Sequence, residues 1–222
     1  MQKDPYMKGG YYSNTLDSPT SKYGATALFF KRHGVVKVLD LGCGAGRHTL
    51  PLAADGFQVY GFDNSAAALK MARKLLKKRR LSAKLRQWDM YKGLPYGEDC
   101  FDAVFASRVM YQARRKDMAR VIGNVLRVLR DGGYLFWSGP TMKSLDKLKR
   151  LEPRRVIEPG TTIALEGYYK GIPYHCFSSK EEVQRLLKGF DIIRFDFRGS
   201  TFHLLAQKKK GTRAALTRQG RP

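Results

Sequence analysis

Acidic residues are scarce in this 222-residue chain: 19 Asp and Glu face 42 Lys and Arg, leaving a formal net charge of +23. That balance is far outside the range of a typical small enzyme, and polyanions are expected to adhere to it. Cysteine is rarer still. Cys43, Cys100 and Cys176 form neither a paired-ligand spacing nor an even disulfide framework, so they read as reduced thiols and no structural metal is expected. No apolar run approaches the roughly 20 residues that cross a bilayer, and "MQKDPYMKGGYYSN" lacks the apolar centre of a secretory signal. The expectation is a soluble, cytoplasmic protein with no membrane partner. Internal repeats are absent, and the length suits one well-buried core better than two.

The charge is unevenly placed. Residues 69–86, "LKMARKLLKKRRLSAKLR", and the end "QKKKGTRAALTRQGRP" contain no acid at all. Such stretches are either an electrostatic footprint for RNA or DNA or a solvated lysine-rich surface, and no nucleic-acid motif accompanies them.

Along the chain, residues 1–33 are expected to form an N-terminal cap whose "ATALFFKRHG" makes a short helix stopping at Gly34. From there strands and helices alternate. "VVKVLDLG", "FQVYGFD", "AKLRQWD", "FDAVFAS" and "YLFWSG" read as strands; "RHTLPLAADG", "SAAALKMARKLLKKRR" and "KDMARVIGNVLRVLRDGG" read as helices. Ser65 is the natural N-cap of the second of these, whose Ala68, Ala72, Leu75 and Leu76 share a face. This alternation predicts an α/β fold, a mostly parallel sheet with helices on both faces. Residues 140–176 are rich in Pro, Gly and Tyr and poorly periodic, and are expected to form a substrate-cap insertion over one sheet edge. "FSSKEEVQRLLKG" then opens with a capping box, Ser178 to Glu181. "FDIIRFDF" and "FHLLAQK", separated by "RGS", suit an antiparallel hairpin that closes a domain running over 34–207. Residues 208–222 are expected to be a basic disordered tail.

The chemistry concentrates at "VLDLGCGAGRH", residues 38–48, where a strand runs into Gly42, Gly44 and Gly46. A glycine turn opening a helix lets a ligand approach the backbone and presents unpaired N–H groups to it. The spacing is G-x-G-x-G rather than the G-x-G-x-x-G of dinucleotide binders. Asp40 just before it would repel a pyrophosphate but suits an amino group. Asp63, about 20 residues after the first glycine, stands where a carboxylate takes both hydroxyls of a ribose. A nucleoside with a cationic amino-acid arm fits both, and S-adenosylmethionine is that molecule. Pro51 removes a helix N–H soon after Arg47 and should tighten the first turn without touching the cradle.

On these residues the sequence resembles the class I S-adenosylmethionine-dependent methyltransferases over about residues 34–207. "VLDLGCGAG" is similar to their first motif, "VYGFDNS" to the ribose-binding strand end, "QWDM" to the adenine-binding one, and "FDAVFAS" with "VLRVLRDGGYLFWS" to the fourth and fifth strands. Within the class it looks most like the type 11 or tellurite-resistance-like small-molecule group, through its Tyr-rich N-terminus and "YHCFSSKEE". The resemblance implies a Rossmann-like sheet of seven strands with an antiparallel last strand. It implies that Asp40, Gly42, Gly44 and Arg47 surround the methionine portion of the cofactor. Cys43 is counted with that cradle, its thiol read as packing. Asp63 and Asn64 would take the ribose, Asp89 and Met90 the adenine, and Ala106, Ser107 and Arg108 would close the pocket near the sulfonium.

The expected activity is methyl transfer to a small molecule. An RNA or RNA-associated acceptor, or a non-catalytic RNA-binding role on the same fold, are the other readings the charge allows. "ASRVMYQ" lacks the Asn/Asp-Pro-Pro-aromatic signature of exocyclic-amine methylation, and no Pro-Cys pair serves attack on cytosine C5. Should a base be needed, the candidates are Tyr12, Tyr23, Tyr111, Tyr174 and His175; His175 is favoured because imidazole titrates near neutrality, with Tyr111 beside it.

Overall fold

A computed structural model describes residues 22–167 and 169–212. The first helix, α1 (Tyr23–Arg32), ends where Gly34 takes φ +65°, a left-handed turn as the sequence required. Five parallel strands follow: β1 (Lys37–Leu41), β2 (Gln58–Asp63), β3 (Lys84–Gln87), β4 (Phe101–Ser107) and β5 (Leu129–Pro140). Between them lie α2 (Thr49–Ala54), α3 (Ala66–Lys78) and α4 (Arg115–Val128). The chain then returns with β9 (Phe190–Asp196) and β10 (Thr201–Lys208), and the seven-stranded order is β3-β2-β1-β4-β5-β10-β9. β10 runs antiparallel to both of its neighbours. Reversal of strand order about β1 and β4 opens a crevice beyond their carboxyl ends, where open α/β sheets bind ligands.

Two apolar clusters sandwich the sheet. α1 closes one face through Tyr23, Ala27 and Phe30 over Val38, Phe105 and Phe136. α4 closes the other with Met118, Val121, Ile122 and Val125, the i, i+3, i+4, i+7 stripe of an amphipathic helix, each worth roughly 1.5–3 kcal/mol when buried. Ser65 caps α3 as expected, its hydroxyl accepting from Ala68 N–H at 3.0 Å. Pro51 falls in the first turn of α2 between Leu50 and Leu52, whose N–H groups donate to the Gly46 and His48 carbonyls at 2.9 Å each, so the proline removes one bond of that ladder.

The structure departs from the sequence reading in four places. Residues 140–176, poorly periodic in sequence, are regularly folded: they form α5 (Met142–Leu151) and a separate antiparallel sheet of β6 (Arg154–Glu158), β7 (Thr161–Ala164) and β8 (Pro173–His175). α4 stops at Val128 instead of running to the glycines, because Leu129 is already extended and pairs with Phe101. The capping box of α6 (Lys180–Leu186) lies one residue later than expected. Ser179 accepts from Glu182 N–H at 3.3 Å, and the Glu182 carboxylate reaches back to the Ser178 N–H and hydroxyl at 2.7 and 2.8 Å. Finally, Lys208 belongs to β10, not to a tail: it is 5% exposed, and its Nζ donates to the Leu129 carbonyl at 2.7 Å and to Asp99 at 3.0 Å. The ends expected as cap and tail, 1–21 with Tyr12 and 213–222, lie outside the described residues. No helix among the described residues is long and apolar enough to cross a membrane.

Candidate cofactor cleft

A cleft opens at the carboxyl ends of β1, β2 and β4, walled by the β1–α2 turn, the ends of β2 and β3, and the loop after β4. The turn is built from glycines for identifiable reasons. Gly42 (φ +67°) lines the cleft, and a Cβ there would stand 2.5 Å from Val109 Cγ2 and 3.3 Å from Met90 Cε. Gly46 (φ +94°) is turned inward, where a Cβ would meet Leu50 at 2.3 Å and Ala72 at 3.3 Å. The first glycine thus keeps the cleft floor bare, while the third seats α2 against α3.

Asp63 ends β2 and ties together two loops that line the cleft. Its Oδ2 accepts the Gly44 N–H and its Oδ1 the Ser65 N–H, each at 2.9 Å. Each carboxylate oxygen has a second lone pair, so the group can still receive ribose hydroxyls. Asp89 follows β3 in the same manner: its Oδ1 accepts Tyr91 N–H at 2.9 Å, starting a single helical turn over Met90–Lys92. Trp88 also faces the cleft, anchored by Nε1 donating to the Gly93 carbonyl at 2.8 Å, with the Arg86 guanidinium 5.0 Å from its ring centroid.

Most of the sequence-derived residues converge here. Gly42, Cys43, Gly44, Arg47, Asp63 and Asn64 line the cleft, as do Asp89, Met90, Ser107, Arg108 and Tyr111. The Cys43 thiol is inert packing: burial, reinforced by the charges of Asp40 and Asp63, pushes its pKa well up.

Five candidates stand outside the cleft lining. Asp40 lies under the turn, 2% exposed, accepting the Thr49 hydroxyl at 2.6 Å, and it forms no part of the cleft wall. Burial drives its carboxyl up to about 7; the Thr49 hydrogen bond opposes this and the Asp63 charge adds to it. Ala106 is fully buried in the α4-side core, because neighbouring strand residues face opposite ways. Tyr23 is 7% exposed and donates to Asp55 Oδ2 at 2.5 Å, with burial and that carboxylate raising its phenol far above the usual range. His175 is fully buried in the small sheet. Its Nδ1 is 2.7 Å from Thr161 Oγ1, and its Nε2 is 3.2 Å from the Glu182 carboxylate. Its contact with the site is through the backbone, its N–H donating to the Tyr111 carbonyl at 2.8 Å. Tyr174, by contrast, packs its ring 4.8 Å from that of Tyr111.

Sequence reasoning overlooked His48, the residue directly after Arg47. It is 7% exposed, lines the cleft, and sits with its ring 4.9 Å from Phe105. Burial, with the neighbouring Arg47 charge, lowers its pKa to about 3, so a neutral imidazole faces the site at physiological pH. Its adjacency to the glycine turn was the available signal. Gln112, Val109 and Met110 were also missed; they belong to a loop where Arg108 (φ 54°) and Met110 (φ 73°) both hold left-handed backbone without being glycine.

Comparison with known proteins agrees with this geometry. A family model described as a methyltransferase domain matches residues 38–133. The mitochondrial ubiquinone biosynthesis O-methyltransferase of Rattus norvegicus is 36% identical over 107 residues, covering 46% of this chain and 30% of the relative. A probable S-adenosyl-L-methionine-dependent methyltransferase, TehB of Haemophilus influenzae, is 27% identical over 135 residues, 56% of this chain and 45% of the relative. The chain thus spans less than half the length of either curated relative. Among solved structures, a SAM-dependent methyltransferase from Methanosarcina mazei superposes with a TM-score of 0.66 at 26% identity, over 78% of this chain and 92% of that one. From the turn at Gly42 to the strand order, sequence and architecture agree: residues 38–133 match a methyltransferase domain, and the sheet around them has the fold of the SAM-dependent methyltransferase on which it superposes.

Proposed function

We propose that the protein is a cytoplasmic S-adenosylmethionine-dependent methyltransferase acting on a small molecule. The observation that carries this reading is the turn at Gly42, where a Cβ would not fit, flanked by two carboxylates, Asp63 and Asp89, each oriented by backbone N–H groups. In this reading Gly42, Gly44 and Arg47 hold the amino-acid arm, Asp63 and Asn64 the ribose, and Asp89 with Met90 the adenine. S-adenosylmethionine supplies an electrophilic methyl group on a sulfonium, so alignment and exclusion of water are the principal tasks left to the protein. Ser107 to Gln112 form the acceptor side. The small sheet steadies that loop through the His175 N–H to Tyr111 carbonyl bond and the Tyr111–Tyr174 ring contact. Tyr111 is the residue placed to meet the acceptor, and His175 supports it from behind. The neutral imidazole of His48 offers a hydrogen bond without adding charge beside a cationic cofactor.

The small-molecule acceptor is supported by the sheet packed beside the cleft and by the relative named for ubiquinone biosynthesis. An RNA acceptor remains the second reading because of the acid-free face of α3 and the β3 edge, from Lys70 to Arg86. Methyl transfer from labelled cofactor to metabolite pools and to RNA pools separates them. Label in low-mass products is expected; label confined to RNA overturns the acceptor, and label in neither pool despite cofactor binding overturns the enzyme.

A further inference from the structure

A second concavity, larger than the space within the cofactor cleft and sharing none of its lining residues, lies on the α1 side of β9 and β10, with a volume of about 680 Å³. It exists because the α1-side core reaches Phe136 and Leu205 and stops there, and no residue of β9 joins it. The volume is that of sites for drug-sized ligands, roughly 300–1,000 Å³.

Its lining divides into two chemistries. Leu28, Phe29, Phe136, Ile193 and Leu205 supply apolar surface, and Leu28 and Ile193 remain 48% and 46% exposed, an unfavourable state for large aliphatic side chains unless something covers them. Lys and Arg contribute five cations against a single carboxylate, Asp196. That carboxylate is already engaged by Lys22 at 3.7 Å and Arg198 at 3.2 Å, whereas Arg32 and Arg194 meet no carboxylate among the described residues. The wall formed by ten-residue α1 is about 15 Å long at 1.5 Å per residue, so the groove is elongated.

We propose that this groove binds an amphiphilic anion, a fatty-acid-like molecule with an extended apolar chain and one carboxylate head. The chain lies on Leu28, Phe29, Phe136 and Ile193, and the head pairs with Arg194 and Arg32. Burial of the chain removes the exposed aliphatic surface, and the head satisfies cations that meet no carboxylate among the described residues. A cation is repelled by the same rim, and a free small anion gains nothing from the floor. The site is independent of methyl transfer, and α1 joins the two regions: Tyr23, next to Lys22, packs its ring 6.3 Å from that of His48 in the cleft wall.

Calorimetric titration of the full chain with dodecanoate, kept below micelle formation, tests the assignment. One saturable site is expected. Affinity should fall about tenfold or more in Arg194→Glu and in Leu28→Glu, each checked for native circular dichroism, while S-adenosylhomocysteine binding is unchanged. Lys77→Glu, an equal charge reversal on α3, should leave dodecanoate affinity intact, which distinguishes this groove from the general positive charge. Absence of a saturable site, equal binding of dodecyltrimethylammonium, equal weakening by Lys77→Glu, or retained affinity in both groove variants would each overturn the proposal. Arg194→Gln serves if the glutamate variant does not fold.

Discussion

Asp40→Asn is expected to change how stability depends on pH. In the folded chain burial raises the Asp40 carboxyl from the ordinary 3.8 to about 7, despite the hydrogen bond from Thr49. The unfolded chain releases this proton near pH 4 and the folded chain keeps it until near 7. In that window the native state holds more protons, so stability falls as pH rises. At about 1.4 kcal/mol per pH unit, the loss between pH 4 and pH 7 amounts to about 4 kcal/mol. Asparagine keeps an oxygen for Thr49 and has no proton to release. Urea denaturation of wild type and variant at half-unit steps from pH 4 to 8 should give free energies that coincide at the acid end. They should then separate, with the variant the more stable by several kcal/mol at pH 8. Because the other titrating groups are common to both proteins, their contribution cancels in the difference. Parallel curves across the range would refute the reasoning and would mean that Asp40 is ionised beneath the turn at every pH tested.

Asp63→Ala should leave the fold intact and weaken S-adenosylhomocysteine binding by about 10- to 150-fold, the equivalent of roughly 1.5–3 kcal/mol for hydrogen bonds to a charged group; unchanged calorimetric affinity would remove Asp63 from the ribose site. Gly42→Ala combines a left-handed φ of +67° with a Cβ 2.5 Å from Val109 Cγ2, so a loss of about 1–3 kcal/mol is expected in thermal melts, and Val109→Ala should restore only the part due to the clash. Glu182 is held down to about 2: burial opposes this, but the His175 ring and the Ser178 N–H and hydroxyl outweigh it. Its stabilisation is present above pH 4.5 and is lost as pH falls through 2, so Glu182→Gln should cost about 3 kcal/mol near neutrality in urea unfolding, with the gap from wild type narrowing toward pH 2.

The parts of this protein that a sequence reveals are those whose physics is local. Alternating apolar strands and a helical stripe such as Met118, Val121, Ile122 and Val125 announce the parallel sheet and its cover. The glycine turn announces a ligand because each residue's backbone geometry is dictated within a few positions of itself. The small sheet was hidden because β6, β7 and β8 are only five, four and three residues long, and β6 is partly exposed throughout, leaving too few turns of alternation to register. Site membership failed where it depends on which way a strand-end side chain points. Ala106 and Ser107 are neighbours, yet period-two alternation sends the first into the core and the second to the cleft. His175 shows the same limit in chemical form. A suitable intrinsic pKa says what a side chain could do in water, whereas the fold sets its ring between Thr161 and Glu182 and gives only its backbone N–H to Tyr111. Held there, the imidazole fastens the small sheet and α6 behind the loop from Ser107 to Gln112, and it is the residues of that loop, not His175, that line the cleft.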